Sequence, residues 1–107
     1  MPWYYYVAYF FAGAFLANGV PHFVQGVCGH RFQSPFASPP GVGESSPIIN
    51  VVWGWFNFLV AGVLLWIFSS PLPPRLGGCV AVALGMLLMG LLLASHFGKV
   101  RGSHPAA

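Results

Sequence analysis

Charge is what this chain has least of. Asp, Glu, Lys and Arg make up 5% of its 107 residues, and Glu44 is the only acid. Soluble domains carry about 25% charged residues, so a water-exposed surface cannot be assembled from this composition. Cysteine is nearly as scarce. Cys28 and Cys79 stand alone, which excludes a disulfide scaffold. The four basic residues, Arg31, Arg75, Lys99 and Arg101, are scattered. With neither a basic stripe nor a reading motif, a nucleic-acid partner is excluded. Nor does any Lys or Arg precede Trp3, so the first apolar stretch lacks the basic head of a signal peptide and reads as a retained helix.

What is present is apolar length. Mean hydropathy is +0.75, and three uncharged runs, at about 3–20, 48–68 and 76–97, are each long enough to cross a hydrocarbon core of about 30 Å as helix. Barrel strands would be about half as long and would alternate polar with apolar residues. The expectation is therefore an all-α integral membrane bundle of three transmembrane helices, a single domain over 1–107, with a long structured loop at 21–47. Gly19 and Pro21 read as the end of the first helix, through a left-handed cap and the restriction proline imposes on its predecessor. Ser46-Pro47 reads as N-cap and first helical position of the second. Ser69-Ser70-Pro71-Leu72-Pro73-Pro74 reads as a tight turn that makes the second and third helices antiparallel neighbours.

Three crossings put the loop and the exits of the first and third helices on one face. That face collects His22, His30, His96, His104, Cys28, Glu44, Arg31, Lys99 and Arg101. Basic residues near the membrane favour the cytoplasm. The loop and C-terminus are thus expected inside and the N-terminus outside, in an inner or plasma membrane. Trp3-Tyr4-Tyr5-Tyr6 resembles an interfacial aromatic belt, and Trp53, Trp55 and Trp66 fall near the two interfaces in the same way.

The loop is long for a helix connection, which usually takes about 2 to 8 residues. It keeps apolar anchors at Phe23, Val24, Val27, Phe32 and Phe36, which a disordered linker would lack. A short helical or re-entrant stretch at about 22–27 followed by an extended proline-rich arm is expected. His22, Cys28 and His30, joined by His96 from the third helix, have the chemistry of metal ligands but match no zinc-finger spacing. No cofactor is expected. Gly41-Val42-Gly43-Glu44-Ser45-Ser46 half resembles a phosphate cradle, yet no strand precedes it and no Lys follows. Its glycines read as turn formers, and Glu44 as a partner for Arg31 or for the helix N-terminus.

Inside the helices the polar residues are Asn18, Asn50 and Asn57, the last two on one face at i and i+7. An amide in hydrocarbon needs a partner, so all three should face other helices. With His22 and Trp53 they form the candidate binding residues. Small residues recur every four positions at Gly77, Ala81 and Gly85, and again at Ala8/Ala12 and Gly13/Ala17. These seams allow close helix approach and point to a homo-oligomer or a larger membrane complex as partner, besides the lipid bilayer.

The segments NGVPHF (18–23), GVCG (26–29), PPGVG (39–43), SSP (45–47) and NVVWGWFN (50–57) together resemble a family of small, uncharacterised bacterial integral membrane proteins. In size and in its glycine- and histidine-bearing first loop the chain is more faintly similar to the DoxX-like membrane proteins. Neither resemblance implies a catalytic residue. The expected function is that of a non-enzymatic oligomeric protein or accessory subunit of a membrane complex. A transporter or channel formed between protomers is the alternative, and a metal- or haem-binding redox subunit a second one.

Overall fold

The computed structural model describes residues 2–69 and 75–102. Its elements run α1 (Trp3–Val27), β1 (Phe32–Gln33), β2 (Glu44–Ser45), α2 (Pro47–Ile67) and α3 (Arg75–Arg101). All three helices are long and apolar enough to cross a bilayer. His104 and the proline turn at 70–74 lie outside the described residues.

The first helix does not stop at Val20. It continues through Pro21 to Val27, absorbing the stretch expected to be separate or re-entrant. Pro21 has no N–H to return to the Ala17 carbonyl, but tertiary contact outweighs that loss. Gly26 packs so closely on the start of α2 that a Cβ there would stand 2.7 Å from the Pro47 carbonyl oxygen. The true stop is Gly29, at φ +78. Gly29 N donates to Gly26 O (3.0 Å) and His30 N to Gln25 O (2.9 Å), the paired bonds of a Schellman cap. The His30 ring then meets the Gln25 side chain at 2.9 Å. The loop is consequently 28–46, shorter than the expected 21–47.

The loop is a folded hairpin, in place of the expected extended arm. β1 and β2 pair antiparallel, Phe32 opposite Ser45 and Gln33 opposite Glu44. Gly41, at φ +76, turns the chain so that its N–H reaches Ser34 O (2.9 Å). Ser34 and Ser45 join their hydroxyls across the strands. Ser46 caps α2 through Ile49 N (3.3 Å), with Pro47 following it, as expected.

α1 is the centre of the molecule. α2 packs on one side of it and α3 on the other, while α2 and α3 barely touch each other; the expected antiparallel pair of neighbours does not form. The glycines decide this. A Cβ on Gly54 of α2 would stand 2.8 Å from Gly19 O of α1, and a Cβ on Gly85 of α3 would overlap the Phe10 carbonyl of α1. Likewise a Cβ on Gly13 would overlap the Val82 carbonyl. The small-residue seams of α1 are thus used within the chain. α3 runs in the direction of α1, with Gly77 and Gly78 beside Tyr6 and Tyr9, and continues past Phe97 to Arg101.

Candidate functional site

At the end of the molecule where α1 and α3 finish and α2 begins, polar groups occupy the core. Asn50, Asn57 and Ser34 are its largest fully buried side chains. Two amides at i and i+7 share one face of α2, and that face lies on α1. Asn57 Nδ2 donates to its own Trp53 carbonyl (2.8 Å), and its Oδ1 accepts from Asn18 Nδ2 (2.9 Å).

Asn50 organises the loop. Its Nδ2 donates to the carbonyls of Phe32 (3.1 Å), Ser45 (3.2 Å) and Ser46 (3.1 Å). The opposite amide orientation would aim Oδ1 at three carbonyl oxygens, so the orientation is set by the chain around it. Oδ1 therefore faces His22 Nδ1 at 2.9 Å, and that nitrogen must carry the proton. His22 is 3% exposed. Its Nε2 carries no hydrogen bond among the described residues, and in the neutral ring it keeps a lone pair.

Aromatic rings surround the imidazole. Phe32, Trp53 and Phe97 stand edge-on to it at 5.4, 6.3 and 6.2 Å, and Phe32 meets Phe97 at 4.8 Å. Arg101 lies 4.8 Å over the Phe32 ring and donates twice to Gln33 Oε1, at 3.2 and 3.0 Å. Glu44, expected to partner Arg31 or the helix N-terminus, pairs with Arg101 at 3.9 Å, because the hairpin turns it toward the end of α3. His96 meets the Gly41 carbonyl through Nε2 at 2.7 Å. The hairpin thereby joins α2 to α3 where the helices themselves do not.

These residues line an open cleft of about 220 Å³, bordered by Asn18, His22, Ser34, Trp53, His96 and Phe97 among others. Trp53 Nε1 is buried with no hydrogen-bond partner among the described residues, a condition that costs about 1–3 kcal/mol when left uncorrected. Of the five candidate binding residues, Asn18, His22 and Trp53 line the cavity, Asn50 bonds His22 and Asn57, midway along α2, bonds Asn18.

The metal set does not assemble. Among the described residues no three His, Cys, Asp or Glu side chains gather closely enough to hold an ion. The Schellman turn leaves Cys28 and His30 exposed beyond the helix end, while Asn50 turns His22 inward. Only His22 and His96 share a surface, that of the cavity. Sequence reasoning missed Gln33, Ser34, Phe97 and Arg101. Gln33 is buried in a strand of two residues and Ser34 just beyond it, a stretch too short to leave an alternating pattern.

No family model, curated protein or solved structure matches the chain.

Proposed function

We propose that this protein is a non-enzymatic integral membrane protein in which the hairpin and the adjoining helix ends form a collar whose pocket holds the polar part of a small ligand, and that it works as an oligomer or as an accessory subunit of a larger membrane complex. One observation carries the binding reading: an almost fully buried imidazole, locked as a donor on Nδ1 by Asn50, with Nε2 unpartnered among the described residues at a cavity. A network that spends one ring nitrogen on structure and leaves the other free presents a preset hydrogen-bond acceptor. Asn50 and Asn57 bond within the chain, which favours a pocket within one protomer over a path between protomers. The assembly reading is supported by α3, where only 6% of the apolar stretch is buried within the chain. Arg31, Lys99 and Arg101 at the collar end favour a cytoplasmic collar.

Native mass spectrometry of protein carried from its own membrane directly into nanodiscs tests both parts. The wild type and Cys28→Ser should retain a non-protein mass that His22→Phe and Trp53→Phe lose. An empty wild type, or a mass held equally by all four, would overturn the binding reading. A strictly monomeric spectrum without partner subunits would overturn the assembly reading.

A further inference from the structure

The collar pocket is one end of a longer seam. A second cavity, of about 360 Å³, lies between α1 and α3 and is lined by Phe11, Phe15, Asn18, Gly85, Leu88 and Leu92 among others. Asn18 belongs to both cavities. On α1 the lining residues Phe11, Ala14, Phe15, Asn18 and His22 follow one helical stripe. On α3 so do Gly85, Leu88, Met89, Leu92 and His96. Residues three and four apart stack along one helix face, so the two parallel stripes put the apolar trough and the polar pocket in line. The close approach of Gly85 to the Phe10 carbonyl holds the helices together beside the trough.

We infer that this seam binds a lipid with a single extended apolar chain and a neutral hydroxyl head, the chain lying in the α1/α3 trough and the hydroxyl donating to His22 Nε2. The inference rests on the collar as a binding site and adds the class of ligand. Three observations select that class. Among the described residues no Asp, Glu, Lys or Arg lines either cavity, so a phosphate or carboxylate head would lose its hydration with no countercharge lining the site to replace it. The trough is apolar apart from Asn18, which suits a hydrocarbon chain. The unpartnered ring nitrogen of His22 accepts and cannot donate while Nδ1 holds the proton, so the head must bring a donor of its own. Asn18 uses one Nδ2 proton on Asn57 and, lining both cavities, keeps a side-chain carbonyl that no described residue bonds.

Photocrosslinking with a diazirine-bearing hexadecanol in phosphatidylcholine nanodiscs tests the assignment, with peptide mapping of the labelled sites. Label is expected on trough residues such as Phe15, Leu88 and Leu92. Plain hexadecanol should displace it at least about tenfold better than lysophosphatidylcholine, whose phosphate would lose its hydration with no countercharge to replace it. Leu92→Trp fills the trough from a residue that is itself 57% exposed, so it should fold normally and lose the label. Label on Ser34 or Trp53 but not in the trough would overturn the lipid assignment and leave the collar as a site for a compact ligand. Label in neither place, or equal displacement by the two competitors with no effect of Leu92→Trp, would overturn it as well and leave the collar reading to the native mass spectrum.

Discussion

At the scale of single residues, the asparagines separate into two roles that composition alone would merge. Asn50 satisfies three loop carbonyls and one imidazole, whereas Asn57 satisfies one side chain and one carbonyl of its own helix. Each buried group left unpaired costs about 1–3 kcal/mol. Asn50→Leu should therefore lose more than about 3 kcal/mol and release the hairpin, while Asn57→Leu should lose about 1 kcal/mol. Unfolding of the purified protein followed by tryptophan fluorescence measures both, and equal losses would refute the division. That the amides face inward was legible from the sequence, because an amide in an apolar helix has nowhere else to be satisfied. Which groups they bond was not. The partners of Asn50 are main-chain carbonyls 18, 5 and 4 residues away, and carbonyls leave no trace in residue type.

At the scale of elements, glycine and proline were the punctuation that misled and the packing that decided. Gly19 and Pro21 carry the local signature of a helix end, yet Gly19 lies inside α1 where that helix crosses Gly54. Its missing side chain serves close approach rather than a left-handed turn. Gly29 is the residue that turns the chain. A single sequence cannot separate these two uses, since both require only the absence of Cβ. Contact geometry separates them and gives a contrast within one helix. Gly85→Ala would drive a methyl group into the Phe10 carbonyl and should cost about 1–3 kcal/mol by overpacking. It should also speed hydrogen exchange along α3 while leaving α1 and α2 protected. Gly90 has nothing within 4 Å of where its Cβ would stand. Gly90→Ala should therefore stabilise the helix by about 0.5–1 kcal/mol. Matching effects at the two positions would show that propensity, not the α1–α3 crossing, governs this helix.

At the scale of the whole molecule, α1 bears both neighbours and the hairpin ties their far ends together. The longest extent of the described chain is 49 Å. At about 1.5 Å per residue α1 alone is about 37 Å long, against a hydrocarbon core of about 30 Å. The surplus is where the collar lies: His22 to Val27 complete α1, Phe97 to Arg101 complete α3, and the hairpin covers both. A bilayer placed around the apolar middle of the three helices would leave Cys28, His30 and Arg31 in water on one side and Ser69 on the other. Cys28 is free and exposed, and Ser69 is exposed one residue beyond the C-cap of α2. In a Cys79→Ser background carrying Ser69→Cys, a membrane-impermeant maleimide applied to intact cells should label position 69 and spare Cys28. Permeabilised cells should label both. Label at Cys28 alone would keep the three crossings and invert the orientation, placing the collar outside against the bias of Lys99 and Arg101. Label at both positions in intact cells would refute the three-span arrangement itself. The collar would then have to be explained without α2 as a membrane span between it and Ser69.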